Sequence, residues 1–276
     1  MGTPDITAIV KMNIDFVISL YEKYIDDLRK VRAFQKELYS QKGYPWCEKY
    51  ALYRAVRLLF KKARLAKPPQ GGMKPQLDDI EAEITYLLIR EYRPQTVVEI
   101  SPCGGWSTSW ILQALKDNGC GKLYSFDLID DATKNVPFEL SDGRWNFYLG
   151  DITKAVDKLP MDIDYLFVDS DHSAEFANWY IQYIFSRVKK GCPVSVHDVY
   201  HTVLPGSHGS EGEVIIEWLR EKGVDYFTPS QAKNPMDFRK LMEVKRRLGI
   251  NKRIHWTQTN PMIFFEYFPP GSRGEI

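Results

Sequence analysis

The sequence has no long apolar run, since no stretch approaches the roughly 18 consecutive apolar residues that a membrane-spanning helix needs. The N-terminus also lacks the charged segment followed by apolar residues that marks a secretory signal. We therefore expect a cytoplasmic protein with no membrane span. The sequence also has no excess of charge, because the 37 Lys and Arg residues nearly balance the 36 Asp and Glu residues, for a net charge of +1. This balance gives no basic surface for a polyanion, and we expect no nucleic-acid partner.

Cysteine is scarce and scattered. The four cysteines form no C-x-x-C pair, and they are Cys47, Cys103, Cys120 and Cys192. This usage predicts buried thiols in a reducing compartment rather than a disulfide framework. The hydrophobic content of 44% and the charged content of 26% are typical of a globular protein with one substantial core.

The N-terminal part is predicted to be helical. Apolar residues spaced by three and four predict a helix over 14–28, and a second helical pattern covers about 48–65. Two prolines and two glycines in 67–72 cannot continue a helix, so we place a boundary there. The chain then divides into an N-terminal helical extension, 1–75, and a main domain, 76–276.

From Thr96 onward, patterns of strands and helices alternate. This alternation predicts an α/β fold, a doubly wound and mostly parallel sheet with right-handed crossovers. The predicted strands are Thr96–Ile100, Lys122–Phe126, Trp145–Leu149, Ile163–Val168, Pro193–Val196, Asp225–Thr228 and Met262–Phe268. The predicted helices are Leu77–Glu91, Ser107–Asn118, Ile152–Lys158, Ser173–Lys189 and Glu211–Lys222, and a polar, basic stretch precedes the last strand. Ser210 and Glu213 have the spacing of a capping box at the start of the last helix.

The most informative segment follows the first predicted strand. An apolar run closes on Glu99, breaks into a small-residue turn with Gly104 and Gly105, and reopens as an amphipathic helix. Parallel α/β sheets build nucleotide pockets in this way, because the glycines allow close approach and the helix N-terminus supplies N–H groups. Asp127 closes the next strand, where a carboxylate can accept both hydroxyls of a ribose.

Five segments in order carry a resemblance to a known family. They read VVEISPCGGWST, LYSFDL, FYLGDI, DYLFVDSDHS and KKGCPVSVHDVYH. This order resembles the class I S-adenosylmethionine-dependent methyltransferases, and within them the metal-dependent sugar and macrolide O-methyltransferases. The resemblance covers about 96–201 and implies a Rossmann-like, seven-stranded sheet that continues to about residue 268. Ser101-Pro102-Cys103 departs from the glycine pattern of the family, whereas a Gly-Gly-x-Ser-Thr ending is common in this branch.

The resemblance implies where S-adenosylmethionine binds. Glu99 would meet the cationic end of the cofactor, although a lysine or a helix N-terminus would also satisfy it. Asp127 would bind the ribose, or else be a solvated loop residue. Asp151 would accept from the adenine amine, or else cap the helix that follows. The expected cofactor-binding set is Glu99, Ser101, Gly104, Gly105, Ser107, Thr108, Asp127, Asp151 and Asp169.

Acidic and imidazole groups are concentrated at the ends of the fourth and fifth strands. The first end reads Asp169-Ser170-Asp171-His172 and the second reads His197-Asp198-Val199-Tyr200-His201. Adjacent parallel strands bring these ends together beside the reactive part of the cofactor. Such crowding is costly unless a cation or proton transfer uses it.

The resemblance assigns roles to these groups. Asp169 and Asp198 would be metal ligands, with His197 at the position where relatives carry Glu or Asp. His172 would be the general base, with Asp171 as the second candidate. His201 is a further ligand, a substrate-binding group or a surface residue.

The expected reaction is methylation of a sugar hydroxyl. A divalent cation held by carboxylates can lower the pKa of a hydroxyl, and a histidine can then take its proton. Oxygen-rich sites favour Mg²⁺ or Mn²⁺, and an imidazole ligand favours Mn²⁺ or a later metal.

The acceptor and the partners are less defined by the sequence. A small-molecule or glycan acceptor would contact the loop 200–209 and the stretch 230–259, where the candidate contacts are Tyr200, His208 and Trp256. The N-terminal helices are expected to cover the pocket or to pair two subunits in a homodimer. Met1-Gly2-Thr3-Pro4 resembles a cloning start, and we expect the chain to be part of a larger glycan-assembly protein.

Three alternatives stay open. A catechol or small-phenol O-methyltransferase would use the same cation and two adjacent hydroxyls. An NAD-binding oxidoreductase would share the pocket, but the sequence lacks G-x-G-x-x-G and a Tyr-x-x-x-Lys pattern. A binding module without activity would retain the fold alone.

Overall fold

The fold is known from a computed structural model that describes residues 12–42, 72–200, 210–255 and 262–269. The helix predicted over 48–65 lies outside the described residues, as do His201, His208 and Trp256. No helix in the described part of the chain is both long enough and apolar enough to cross a bilayer.

A seven-stranded sheet forms the centre of the fold. Its strands are β1 (Thr96–Ile100), β2 (Lys122–Asp127), β3 (Trp145–Leu149), β4 (Tyr165–Val168), β5 (Pro193–Val196), β6 (Tyr226–Phe227) and β7 (Ile263–Glu266). The strand order is β3-β2-β1-β4-β5-β7-β6. The first five strands are parallel, and β7 runs antiparallel to β5 and β6. The prediction of a doubly wound, mostly parallel, seven-stranded sheet is confirmed.

Nine described helices flank the sheet. They are α1 (Ile14–Lys23), α2 (Ile25–Lys42), α3 (Asp79–Tyr92), α4 (Trp106–Asn118), α5 (Asp131–Asn135), α6 (Phe138–Ser141), α7 (Ala174–Tyr183), α8 (Glu211–Lys222) and α9 (Pro235–Arg247). A capping box starts α3, where the Asp78 side chain accepts from backbone N–H groups and Glu81 reaches back. The capping box predicted for Ser210 and Glu213 is present at the start of α8.

The two faces of the sheet bury separate apolar clusters, because successive side chains of a strand point to opposite faces. Val97 and Phe167 belong to a cluster that includes α1 to α4. Val98, Leu166 and Val168 belong to a second cluster that includes residues of α7 and α8. Helices α1 and α2 therefore pack onto the same face as α3 and α4, and the division at residue 75 stays a prediction.

Several predicted boundaries differ from the structure. The helix predicted over 14–28 is interrupted at Tyr24, whose N–H bonds the Leu20 carbonyl, and a second helix then extends to Lys42. The helix predicted over 152–158 forms two 3₁₀ turns instead. The helix predicted over 173–189 ends at Tyr183 and is followed by a 3₁₀ turn.

Helix α9 was missed within the polar, basic stretch. Its first turn has the usual signals, because Asn234 accepts from the N–H of Asp237 and Pro235 occupies the first turn. Only Leu241 and Lys245 of this helix are buried. Phe238, Leu241 and Met242 nevertheless pack against the core at the spacing of a helix, so the periodic signal was present within the mainly charged stretch.

Candidate active site

Backbone strain is concentrated where the parallel strands end. Five non-glycine residues in the described ranges have a left-handed φ, and four of them follow β1, β4 or β5. These four are Ser101 (62°), Cys103 (49°), His172 (62°) and Asp198 (53°). Such conformations cost energy and cluster at functional sites, so the strain marks this edge of the sheet as the candidate site.

The glycine turn after β1 packs closely against other parts of the chain. Gly105 has a φ of 90° and caps α4, and a Cβ there would lie 2.7 Å from Cγ2 of Val136. A Cβ on Gly104 would lie 3.0 Å from the backbone N of Lys74. Both glycines are therefore required by contacts within the protein. Their predicted approach to S-adenosylmethionine stays a prediction.

Glu99 is fully buried and accepts three hydroxyl hydrogen bonds. Ser107 Oγ lies 2.6 Å from Oε1, and Thr108 Oγ1 and Ser125 Oγ lie 2.9 and 2.6 Å from Oε2. Burial raises the pKa of Glu99 to about 7. Three residues of the predicted cofactor-binding set, Glu99, Ser107 and Thr108, thus bind one another and fix the start of α4 against β1.

A hydrogen bond to Asp127 connects the end of β2 with the glycine turn. Its Oδ2 accepts from the N–H of Cys103 at 2.7 Å, and its Oδ1 accepts from the N–H of Ile129 at 3.1 Å. Burial raises the pKa of Asp127. The N–H of Ser101 donates to the carbonyl of Phe126, so two hydrogen bonds join the turn to this strand end.

Asp151 caps the 3₁₀ turn after β3. Its Oδ1 accepts from the N–H and from the hydroxyl of Thr153, at 2.9 and 2.7 Å. These hydrogen bonds lower the pKa of Asp151. The capping alternative is therefore what the structure shows, and adenine recognition stays a prediction.

His197 lies among three carboxyl groups and is almost completely buried. Its Nδ1 lies 3.3 Å from Oδ1 of Asp169 and 3.5 Å from Oδ1 of Asp198, and its Nε2 lies 3.4 Å from Oε2 of Glu81. Burial alone would lower the pKa of this imidazole. The charges of Asp169 and Glu81 outweigh that effect and raise the pKa well above its ordinary value.

His172 faces the same strand ends from the loop after β4. Its Nε2 lies 3.4 Å from Oδ2 of Asp198 and 4.0 Å from Oδ1 of Asp169, and its Nδ1 lies 3.0 Å from Oε2 of Glu211. Burial would lower its pKa, but the hydrogen bond that it donates to Glu211 and the charges of Glu211 and the nearby aspartates raise it. Asp171 is exposed and accepts from the N–H of Ser173.

Two glutamates of the site were missed from the sequence. Glu81 accepts from the N–H of Met262 on Oε1 and from the N–H of Asp78 on Oε2, and burial raises its pKa to about 8. Glu211 is the first residue of α8 and is 1% exposed. The capping-box spacing of Asp78 and Glu81 was the available signal for a helix start, but it does not show what the helix packs against.

The donor atoms at the strand ends fit a divalent cation. Asp169, His172 and Asp198 each offer one ligand atom, and these atoms lie within 4.8 Å of one another. Oδ2 of Asp169, a residue only 5% exposed, has no hydrogen-bond partner among the described residues. Two carboxylate oxygens and one imidazole nitrogen suit Mg²⁺ or Mn²⁺. His197, the predicted third ligand, is not one of these three residues; its Nδ1 faces Asp169 and Asp198, and its Nε2 faces Glu81.

A family model for a methyltransferase domain matches residues 98–199, which include the glycine turn and also Asp169, His172, His197 and Asp198. The chain contains a methyltransferase domain. The resemblance to class I methyltransferases and the expectation of an enzyme are thus confirmed for the segment that forms the site. No protein with a curated description matches the sequence.

Several solved methyltransferases are similar in structure to this chain. A putative O-methyltransferase from Klebsiella pneumoniae has 16% identity and a TM-score of 0.48, over 77% of this chain and 96% of that one. The O-methyltransferase from Bacillus cereus, in complex with S-adenosylhomocysteine, has 12% identity and a TM-score of 0.49, over 77% and 97%. TomG from Streptomyces achromogenes, in complex with S-adenosylmethionine, has 14% identity and a TM-score of 0.48, over 79% and 89%.

Proposed function

We propose that this methyltransferase transfers the methyl group of S-adenosylmethionine to a hydroxyl of a sugar or glycan, with the assistance of a divalent cation. The observation that carries the proposal is the group formed by Asp169, His172 and Asp198, at the strand ends of a methyltransferase domain. Acidic groups this close together at a buried edge are stabilised by a cation, and a bound cation can lower the pKa of an alcohol.

The glycine turn and the start of α4 are proposed to bind the cofactor. The first N–H groups of a helix have no intrahelical carbonyl to bind, so the N-terminus of α4 offers donors for a carboxylate. Asp127, at the end of β2, is proposed to accept from the ribose hydroxyls. S-adenosylmethionine supplies a methyl group on a sulfonium ion, which an oxygen nucleophile attacks in line.

The strand ends are proposed to activate the acceptor. A sugar hydroxyl is a poor nucleophile at neutral pH, so its proton must leave as the new carbon–oxygen bond forms and the carbon–sulfur bond breaks. Asp169 and Asp198 would hold the cation, which when bound would lower the pKa of the acceptor hydroxyl. His172 and Asp171 are the two groups near this point that can take the proton, a role typically worth about 10² to 10⁴ in rate.

The test separates donor binding, transfer and acceptor class. Titration calorimetry with S-adenosylhomocysteine is expected to show binding, and mass spectrometry is expected to show one added methyl group on a sugar acceptor in the presence of Mg²⁺ or Mn²⁺. The acceptor panel should include free sugars, nucleotide sugars, glycosides and catechols. Transfer to catechols alone would make the sugar assignment wrong, and absence of donor binding would make the methyltransferase assignment wrong.

A further inference from the structure

The two ring nitrogens of His172 face different groups. Nδ1 lies 3.0 Å from Oε2 of Glu211. Because a carboxylate oxygen accepts a hydrogen bond, Nδ1 carries the proton that His172 donates to Glu211. The lone pair of a ring protonated at Nδ1 is on Nε2. This atom lies 3.4 Å from Oδ2 of Asp198 and 4.0 Å from Oδ1 of Asp169. The lone pair is therefore on the side of the ring where the two aspartates converge.

The position of Glu211 is fixed by contacts with both strand-end loops. Its N–H donates to the carbonyl of His172, so backbone and side chain both bind the same residue. The preceding residue, Ser210, forms a β-bridge with Ser173. The following residue, Gly212, lies so close to the loop after β5 that an added Cβ would be 1.7 Å from the carbonyl oxygen of Val199. The start of α8 is thus held between the loops after β4 and β5.

We propose that His172 is the third protein ligand of the cation, through Nε2, and that Glu211 is the positioning residue that sets its tautomer and orientation. Histidines that bind metals commonly donate their other N–H to a carboxylate, which is the arrangement of Glu211 and His172. The free Oδ2 atom of buried Asp169 adds an oxygen donor at the same place. The proposal rests on the cation of the proposed function and leaves Asp171 to accept the proton.

This assignment differs from the one expected from the sequence, in which His197 was the third ligand and His172 the base. His197 is 1% exposed and lies against Glu81, whereas the ligand atoms that lie within 4.8 Å include His172 and not His197. The two assignments make opposite statements about which histidine the cation needs.

Measurement of Mn²⁺ binding in the absence of a methyl acceptor distinguishes the assignment of His172 as the third ligand from the assignment of His197. Electron paramagnetic resonance should measure the affinity of the full chain for Mn²⁺ in the presence of S-adenosylhomocysteine, where no turnover occurs. Variants His172→Ala and Glu211→Gln are expected to weaken Mn²⁺ binding by about 10- to 100-fold. Electron spin-echo modulation from a directly bound ¹⁴N is expected in the wild type and should disappear in His172→Gln.

Glu213→Gln is the matched control, because Glu213 is in the same first turn of α8 but accepts from the N–H of Ser210 instead of facing His172. It is expected to keep the affinity for Mn²⁺ of the wild type. Glu211→Asp should recover part of the loss caused by Glu211→Gln, and the variant with both His172→Ala and Glu211→Gln should bind no more weakly than His172→Ala. Far-ultraviolet circular dichroism would confirm that each variant is folded.

Other results would overturn the proposal. If His172→Ala binds Mn²⁺ like the wild type but loses transfer, His172 is the base and the ligand assignment is wrong. If His197→Ala loses the ¹⁴N signal and His172→Ala keeps it, the original assignment of His197 is correct. If the wild type binds S-adenosylhomocysteine but no Mn²⁺, this inference and the cation are both wrong, while methyl transfer itself is left standing.

Discussion

Oε2 of Glu81 lies 3.4 Å from Nε2 of His197, and this contact joins the first turn of α3 to the end of β5. Both side chains are at most 1% exposed, so neither can exchange the other for water. Glu81→Gln would place an amide against the N–H of Asp78 and the imidazole. We expect a loss of roughly 1–3 kcal/mol in the free energy of unfolding, measured by urea denaturation, together with reduced turnover.

Glu91→Gln is the control for this prediction, because Glu91 is on the same helix but pairs with the exposed Lys23. An exposed ion pair contributes about 1 kcal/mol or less, so this variant should be nearly as stable as the wild type and equally active. Equal stability of the Glu81→Gln variant and the wild type would contradict the importance of the buried contact.

Glu99 should make stability depend on pH. Burial raises its pKa to about 7, so between about pH 4.5 and pH 7 the folded protein holds a proton that the unfolded chain has released. The stabilisation relative to Glu99→Gln should therefore be largest at low pH and fall as the pH rises through this range, by up to roughly 3 kcal/mol. Unfolding of both proteins at matched pH values measures the difference, and a constant difference would show that the pKa is ordinary.

Chelation should abolish the transfer reaction. EDTA followed by gel filtration is expected to remove activity, and Mn²⁺ or Mg²⁺ should restore it, because the cation activates the acceptor hydroxyl. Binding of S-adenosylhomocysteine, measured by calorimetry, should be retained in EDTA and shows that the protein is still folded. Full transfer in the chelator would remove the cation from the mechanism.

Asp171→Asn should separate proton transfer from cation binding. Asp171 is exposed and lies two residues beyond Asp169, outside the set of ligand atoms. Loss of the proton acceptor is expected to lower kcat by about 10² to 10⁴ while the affinity for Mn²⁺ is unchanged. An equal loss of Mn²⁺ affinity would show that Asp171 belongs to the cation site.

Gly212→Ala should disturb the site through the backbone. The new Cβ would lie 1.7 Å from the carbonyl oxygen of Val199, so α8 must move and take Glu211 away from His172. We expect clear destabilisation and strongly reduced activity. Gly143→Ala is the control, since the described residues leave open space around the Cβ that it would add. The positive φ of Gly143 should cost only about 1 kcal/mol, and the activity should be normal. Thermal unfolding and transfer rates test both.

The sequence predicted the parts of the fold that local patterns determine. The run from Val97 to Glu99, the glycine turn and the two crowded strand ends were identified because strand ends in a parallel sheet meet at one edge. Helix α9 was missed because its exposed face is almost wholly charged. The interruption at Tyr24 was missed because the apolar spacing continues through it.

The contacts of His172 and His197 with glutamates could not be predicted from the sequence, for a different reason. Glu81 and Glu211 belong to helix starts, where a glutamate is usual for capping alone. Their contacts with His197 and His172 depend on how α3 and α8 pack against the sheet. A pattern along the chain carries no information about such a long-range contact.

The place of β7 in the sheet has a consequence for biosynthesis. This strand is the last of the seven along the chain, yet it lies between β5 and β6. Until Ile263–Glu266 has left the ribosome, β5 has one unpaired edge and β6 has no neighbour. An apolar strand with an open edge is prone to aggregate, so the nascent protein is most exposed to misassembly late in translation.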